Sequence, residues 1–392
     1  MQLLLLGIQP AKLISIDSRF RGNDICMKIG IYSPYLDTAG GGERYMMSIA
    51  EFLSQTHEVD VLLDKHLLEI GAEKIKEKIE ILHGLYLSKV RFIKAPFGDR
   101  DFFINRILKR LIFLSKYDYL FYLTDGSIFF STAKNNILHI QSPLKNTNND
   151  MWGNFKLSSW KLIMYNSKFT KEETENSWKV KNVIIYPPVS VDKIRPLKKE
   201  KIILSVGRFS GISQEGRTIY ASKNHKILID AFKKLIKESN SDDFILHIAG
   251  AASNGDKKYL DELKKNIKDL KVYLHPNLPF NDLTKLYGKS LIYWHAAGFG
   301  EKDPTKMEHF GISTVEAMAG GAVPIVINLG GQKEIVEDKK SGFLWNTPDE
   351  MIGYTMDIIK NENLAEKLSK NAIKRSKVFS RIKFCQNIQK LI

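Results

Sequence analysis

The sequence predicts an α/β protein built from two doubly wound domains, each a parallel sheet with helices on both faces. Short β-rich runs alternate with helical stretches in both halves of the chain, which is the pattern of βαβ units. Between the halves stands Tyr186-Pro187-Pro188, and adjacent prolines fit neither a helix nor a central strand. Ligands of such folds bind beyond the carboxyl ends of strands, so we expect the chemistry in loops after strands, facing a central cleft.

In the first half the alternation begins at Met27. The predicted strands are Lys28–Tyr32, Glu58–Leu63, Val90–Ile93, Tyr119–Tyr122, Ile137–Ile140, Lys161–Tyr165 and Val183–Tyr186. The helices between them include Glu43–Ser54 and Lys171–Trp178. These segments form the first predicted domain, 27–190.

The second half repeats the alternation and forms the second predicted domain, 191–375. Its predicted strands are Lys201–Val206, Phe244–Ala249, Val272–Leu274, Leu291–Trp294 and Ala322–Ile327. Its predicted helices are Lys226–Ser239, Lys257–Lys268, Asn281–Gly288 and Ser313–Ala319. From Pro348 to Ile392 the pattern predicts two or three basic helices, and the last of them, 376–392, can pack back on the first domain.

Composition narrows the class of protein. Of the 392 residues, 43% are hydrophobic and 26% charged, as in a globular protein, and the net charge of +15 suits an anionic partner. The two cysteines offer neither a disulfide framework nor a metal site, so a reduced, cytoplasmic setting is the expectation. No apolar run of about 18 residues predicts a membrane-spanning helix.

Residues 1–26 stand apart from this pattern. Leu3–Leu6 is too short for the apolar region of a signal peptide, and Asp17–Asp24 reads as neither strand nor helix. Met27 is followed at once by a strand. Two interpretations stay open: a mis-assigned start, with Met27 as the true one, or a non-structural tail.

The first candidate site follows the first strand, at Gly40-Gly41-Gly42-Glu43-Arg44. Three glycines between a strand and a helix permit positive φ and close approach of a ligand, and the helix start offers amides to an anion. A plain tight turn is the alternative.

The second candidate site combines Arg208, just after a strand, with Lys223, just before a helix. Two cations that converge could neutralise a diphosphate, whereas solvated surface charge is the alternative. The intervening segment, Ser210–Ser222, reads as a long polar loop.

The third candidate site is Glu308 to Gly321. Gly311 permits an abrupt helix entry, and free amides at Ile312, Ser313 and Thr314 would suit a phosphate. Ser313-x-x-Glu316 also reads as a capping box, which gives Glu316 a purely structural alternative.

Two further features remain. His139 ends an apolar strand and is either a site residue or a satisfied core histidine. The segment Asp101–Lys116 mixes basic and apolar residues and is either a helix on an anionic membrane or an ordinary packed helix.

These motifs, in this order, resemble glycosyltransferase family 4, the retaining enzymes of the GT-B fold, over nearly all of 27–392. The motifs are GGGER, HIQSP, YNSKFT, YPPVSVD, VGRF with a later KNH, and above all EHFGISTVEAMAGG with IVINLGGQKEIV and SGFLW. GGGER and EHFGI are also similar to GDP-mannose-dependent α-1,2-mannosyltransferases. Two departures are the long Arg208–Lys223 segment and Gly320 in place of a commoner alanine, which should only loosen the helix end.

The resemblance implies roles by position. Arg208 and Lys223 would hold the diphosphate, Glu308 the sugar hydroxyls and Glu316 the ribose, while His139 would contact the transferred sugar. The remaining implied donor contacts are Gly41, Gly42, Phe310, Gly311, Ile312 and Ser313, with the nucleobase near Gly250, Leu278 and Pro279.

The expected activity is retaining transfer of a hexose, mannose being suggested by similarity, from a GDP- or UDP-sugar to a glycan or lipid-linked acceptor. The first domain would serve the acceptor and the second the donor. No metal or other cofactor and no nucleic-acid partner is expected, and the place of action would be the cytoplasm, at the inner face of an anionic membrane. The alternatives are another GT-B enzyme such as a sugar-nucleotide epimerase, or a non-catalytic binder of sugar nucleotides or nucleic acid.

Overall fold

A computed structural model describes residues 26–38, 40–98, 103–145, 150–174, 178–210, 212–214, 217–219, 223–239 and 243–392. The predicted leader, apart from Cys26, lies outside these ranges, as does Ala39. The chain divides into two compact units. The first runs to Asn166 and adds Thr170–Pro188 and Phe384–Ile392, and the second comprises Ser167–Phe169 and Val189–Lys383.

The first unit contains a seven-stranded parallel sheet in the order β3-β2-β1-β4-β5-β6-β7. Its strands are β1 Lys28–Tyr32, β2 Glu58–Leu63, β3 Arg91–Lys94, β4 Tyr119–Thr124, β5 Asn135–Ile140, β6 Leu162–Tyr165 and β7 Asn182–Ile184. The helices that begin in it are α1 Gly41–Leu53, α2 Lys65–Ile70, α3 Ala72–His83, α4 Phe103–Leu114 and α5 Met151–Leu157. Helix α6, Lys168–Glu173, crosses the boundary assigned between the units.

The second unit contains a six-stranded parallel sheet in the order β12-β11-β8-β13-β14-β15. Its strands are β8 Glu200–Val206, β11 Ile245–Gly250, β12 Val272–Pro276, β13 Ser290–His295, β14 Val323–Ile327 and β15 Phe343–Trp345. The helices are α7 His225–Ser239, α8 Lys257–Asn266, α9 Phe280–Lys289, α10 Ile312–Ala319, α11 Gln332–Ile335, α12 Pro348–Lys360, α13 Glu362–Ser376 and α14 Arg381–Gln389. Residues from Phe384 onward in α14 belong to the first unit.

Two predicted elements differ from the structure. The predicted helix Lys171–Trp178 begins earlier and ends at Glu173. The predicted loop Ser210–Ser222 contains an antiparallel hairpin, β9 Ile212–Gln214 and β10 Arg217–Ile219. These strands are three residues long and lie in a polar segment, so no strand pattern is visible in the sequence.

Apolar side chains on both sheet faces form the cores, as expected for strands covered by helices on two sides. In the first unit, Tyr45 of α1 packs edge-on against Phe384 of α14 at 4.9 Å between ring centroids, and both are buried. In the second unit, Trp294 of β13 and Trp345 of β15 have no exposed surface.

The carboxyl ends of α9 and α10 meet closely. A Cβ added at Gly320 would lie 2.6 Å from the Tyr287 carbonyl oxygen, so glycine lets the helices approach. Lys199 Nζ donates to the Gly288 and Gly320 carbonyls, at 2.8 and 2.6 Å, where a cation opposes the negative helix ends. The expectation that Gly320 only loosens its helix end is therefore wrong.

Candidate active site

Three strands of the second sheet end next to one another, at Val206, Gly250 and His295. The Gly207 amide donates to the Ala249 carbonyl at 2.9 Å, and a Cβ on Gly250 would lie 1.9 Å from the Gly207 oxygen. Only glycine fits at position 250. Arg208 comes directly after Gly207 and is exposed. Its guanidinium has no ion-pair or hydrogen-bond partner among the described residues.

Lys223 and Glu308 form an ion pair beside this strand end. The Lys223 stem lies against Gly207, its Cγ 2.8 Å from where a Cβ would be, and its Nζ is 2.6 Å from Glu308 Oε2. Their side chains are 22% and 20% exposed, so the attraction acts largely shielded from water.

His295, which ends β13, completes this cluster. Its Nε2 lies 3.3 Å from Glu308 Oε2, and the Gln332 amide lies 3.3 Å from the same ring nitrogen. Burial alone would raise the pKa of Glu308, but Lys223 and His295 outweigh it and hold that pKa well below its usual range. Burial lowers the pKa of His295, with Glu308 opposing the shift. Glu308 is therefore ionised at neutral pH.

The start of α10 lies at the same edge. Gly311 has φ 120°, and a Cβ there would lie 2.5 Å from Gln332 Nε2, so both conformation and space require glycine. The Ser313 hydroxyl donates to the Val206 carbonyl at 3.2 Å and accepts from the Tyr293 hydroxyl at 2.8 Å. These bonds fix the helix start, where the amides of Ile312 and Ser313 precede the first amides that donate to the Gly311 carbonyl.

Two expectations about this helix are wrong. Gly311, not Ser313, is the N-cap residue, so Ser313 and Glu316 do not form a capping box. Glu316 is buried and accepts from the Tyr287 hydroxyl at 3.0 Å. The Thr314 amide is not free either, because it donates to the Gly311 carbonyl at 3.1 Å. Phe310 is also buried.

The region predicted for the nucleobase is continuous with Gly250. The Asn277 amide donates to the Gly250 carbonyl at 2.8 Å, and Leu278 and Pro279 follow directly. Pro279 is the N-cap residue of α9 and is exposed. Arg208, Lys223, Glu308, Gly311 and this region thus share the carboxyl edge of one sheet.

In the first unit, the glycine motif forms the beginning of a helix. Gly40 has φ −85°, and Gly41 and Gly42 are the first residues of α1, so none of the three uses positive φ and that part of the prediction is wrong. Close approach explains Gly42 instead. A Cβ there would lie 3.1 Å from Leu123 and 3.3 Å from Gln141.

His139 is fully buried in β5. Its ring stacks on Tyr45 at 3.9 Å, and its Nε2 lies 2.9 Å from Gln141 Oε1. Burial lowers the pKa of His139 to about 4, so the ring is neutral at pH 7. The side chain has no surface for a ligand in this structure, whereas Gln141 is half-buried and its amide faces Gly41.

Sequence reasoning did not select His295, Gln332 or Gln141. His295 carries the signal that singled out His139, a histidine that ends an apolar strand. Gln332 and Gln141 lie within the motifs IVINLGGQKEIV and HIQSP, but nothing in their spacing predicted side-chain contacts. Within the described ranges, no group of three or more His, Cys, Asp or Glu side chains could hold a metal.

The family model "Glycosyl transferases group 1" matches residues 190–375, which include the charged cluster and the start of α10. The protein is a glycosyltransferase. One relative of this glycosyltransferase is the GDP-Man:Man(3)GlcNAc(2)-PP-Dol α-1,2-mannosyltransferase of Dictyostelium discoideum, 24% identical over 93% of this chain and 84% of that protein. The enzyme of the same name from Homo sapiens is 29% identical over 55% of this chain and 43% of its own.

Solved structures show the same fold for the glycosyltransferase. A glycosyltransferase from Rickettsia africae matches with a TM-score of 0.69 at 18% identity, covering 94% of this chain and 98% of that one. Anabaena HepE in complex with UDP and glucose matches with a TM-score of 0.66 at 18% identity, covering 93% and 99%. The predicted GT-B class, with two Rossmann-like parallel-sheet domains, is confirmed. No helix in the described ranges combines the length and apolarity that a bilayer crossing needs.

Proposed function

We propose that this glycosyltransferase is a retaining family 4 enzyme that moves a hexose from a nucleotide diphosphate sugar to a glycan or lipid-linked acceptor. The names of its relatives favour mannose from GDP-mannose, whereas HepE was solved with UDP and glucose, so GDP and UDP donors are both candidates. The proposed setting is envelope polysaccharide or glycoconjugate synthesis at the cytoplasmic face of a membrane.

The observation that carries the proposal is the Lys223–Glu308 pair beside Arg208 and the start of α10. Transfer builds negative charge on the departing diphosphate, and donors fixed in advance at that position stabilise the transition state. Glu308 occupies one of the three N–H donors of the Lys223 ammonium, so two remain for phosphate oxygens. Arg208 adds a guanidinium fork, and α10 adds amides and the positive end of its dipole.

The neighbouring residues complete the proposed site. We propose that Glu308 accepts sugar hydroxyls through the oxygen that Lys223 does not hold, that the backbone of Phe310–Ser313 lies along the donor, and that Glu316 reaches the ribose. The nucleobase would rest near Gly250, Leu278 and Pro279. In the first unit, Gly41, Gly42 and Gln141 are the proposed sugar contacts, with His139 acting through Gln141 rather than directly.

A thermal-shift panel tests the donor assignment, because a ligand that binds only the folded state raises its apparent stability. GDP-mannose, UDP-glucose, UDP-N-acetylglucosamine, GDP, UDP and the free sugars form the panel. We expect one nucleotide sugar to raise the melting temperature more than its own nucleotide and more than the free sugar. A panel in which no nucleotide sugar shifts the melting temperature would contradict the proposal.

The variant Lys223→Met tests the diphosphate role. We expect it to lower kcat about 10²–10³-fold, the usual cost of removing one transition-state donor. Lys226→Met is the matched control, because Lys226 is exposed in the first turn of α7 and should leave kcat near the wild-type value. Equal turnover by Lys223→Met and wild type would reject the assignment.

The turnover assay also distinguishes a transferase from the two alternatives, an epimerase and a non-catalytic binder. An epimerase would release free nucleotide or an isomerised donor without acceptor, and a binder would turn nothing over. A transferase consumes donor in proportion to glycosylated acceptor. Anomer analysis of the product by NMR distinguishes retention from inversion.

A further inference from the structure

Helix α4 exposes an apolar stripe. Ile104, Leu108 and Ile112 are 69%, 51% and 64% exposed. They recur every four residues, so with 3.6 residues per turn they line one side of the helix. The opposite side packs inward through Leu114, which is fully buried. An apolar stripe that faces solvent costs free energy and marks a surface that meets another apolar phase.

Helix α5 exposes a second apolar set. Met151, Trp152 and Phe155 are 78%, 66% and 53% exposed. The segment 130–132 contacts both helices. The Thr132 hydroxyl donates to the Leu111 carbonyl of α4, and the Phe130 ring stacks on the Phe155 ring of α5 at 4.8 Å between centroids. We call these six exposed side chains the apolar face: Ile104, Leu108, Ile112, Met151, Trp152 and Phe155.

The charge around the apolar face is mainly positive, although Asp150, the N-cap residue of α5, is an exposed acid next to Met151. Neither 103–116 nor 151–161 contains an aspartate or glutamate, while Lys109, Lys116 and Lys156 are exposed on the same segments. A protein partner would need an apolar, acidic surface of matching shape. An anionic bilayer supplies both properties without any shape requirement, and tryptophan and lysine are typical of its interface.

We propose that the apolar face is a membrane-docking surface, which inserts its apolar side chains among the headgroups of an anionic bilayer while the lysines contact lipid phosphates. The choice of partner rests on the proposed function, because a lipid-linked acceptor is met at a membrane surface. The face lies on the first unit, and its residues are separate from the donor-binding residues proposed on the second.

Vesicle sedimentation of the full chain tests this docking. The probes are vesicles of phosphatidylcholine alone and of equimolar phosphatidylcholine and phosphatidylglycerol. We expect binding to the anionic vesicles, weakened by salt because the lysines contribute through screened attraction. Replacing Ile104, Leu108 and Ile112 together by serine should weaken binding about 10-fold or more, since buried apolar area drives insertion.

A matched control separates the face from general apolarity. Ile81 and Leu82 of α3 are 46% and 60% exposed in the same unit. The double variant Ile81→Ser/Leu82→Ser should bind vesicles like wild type. Trp152→Ser/Phe155→Ser should lose affinity, and because it alters only α5, it keeps the test valid if the α4 variant fails to fold.

Three outcomes would overturn the proposal: no wild-type binding to anionic vesicles, equal loss in the control, or unchanged binding by both face variants. Light scattering adds a fourth outcome that would overturn it. If the wild type is a dimer and the face variants are monomers, the apolar face binds a second copy of the chain. The nucleotide-sugar thermal shift is measured on the same samples. A retained shift without vesicle binding refutes the docking alone, and vesicle binding without any shift refutes the donor proposal alone.

Discussion

Lys223, Glu308 and His295 show how one residue's charge state is set by its neighbours. Glu308 is only 20% exposed, and burial by itself would favour its neutral form. The ammonium 2.6 Å away and the imidazole at 3.3 Å reverse that preference and keep the carboxylate charged. The fold itself therefore holds this carboxylate in its charged form, and under the proposed function such a fixed charged cluster would supply the preorganisation that transition-state stabilisation needs.

Glu308→Gln tests this coupling through stability. The folded-state pKa of Glu308 lies below its unfolded value of about 4.3, so its contribution is fully present above that pH and is lost as pH falls through the folded pKa. We expect the variant to be less stable by about 1–3 kcal/mol at pH 7. The difference from wild type should narrow below about pH 4.3, as measured by urea unfolding at pH 7 and pH 3.5.

A second lysine–glutamate pair provides the control. Lys370 and Glu366 are also 2.6 Å apart but are 71% and 62% exposed. Solvent screens such a pair, so Glu366→Gln should change stability little at either pH. A gap between Glu308→Gln and wild type that is unchanged from pH 7 to pH 3.5 would show that the charge of Glu308 is not coupled to folding.

Among the elements, α9 and α10 are held at their carboxyl ends, and their amino ends carry Pro279 and Gly311 of the proposed donor site. Contact between Gly320 and the Tyr287 carbonyl, with Lys199 bonded to both helix ends, sets the distance between them. Because each helix is rigid along its length, a substitution that shifts the carboxyl ends should also shift the amino ends.

Gly320→Ala should have two opposing effects on stability, a gain in helix propensity and a steric cost of the added Cβ. Alanine is the better helix former by about 1 kcal/mol, but its Cβ would lie 2.6 Å from backbone, which must move. We expect a net loss of about 1–3 kcal/mol on chemical unfolding, as for other overpacked sites. Gly353→Ala in α12, where a Cβ meets nothing within 4 Å, should instead stabilise by about 0.5–1 kcal/mol. Stabilisation by both variants would show that the close approach at Gly320 is not rigid.

For the whole molecule, local patterns predicted the two parallel sheets because buried parallel strands are continuous apolar runs, as in Val323–Ile327. Short elements were not predicted. The strand Phe343–Trp345 is three residues long, which is too short for an apolar run to be recognised as a strand. The sequence predicted that Arg208 and Lys223 converge on a diphosphate, but it did not predict the ion pair between Lys223 and Glu308. Lys223 and Glu308 are 85 positions apart, and only the order of the strands in the sheet brings them within 2.6 Å.

The whole molecule should lose stability in mild acid. His139 in the first unit and His225 in the second have no exposed surface, and burial lowers their pKa values to about 4 and about 3. The unfolded chain binds a proton at each below about pH 6.5, while the folded chain does not, so stability falls as pH drops from there. Each histidine should remove about 2 kcal/mol between pH 7 and pH 5. Calorimetry at the two pH values measures the change in melting temperature, and His139→Gln should reduce that change. Melting that is the same at pH 7 and pH 5 would mean that these imidazoles take up protons while the protein stays folded.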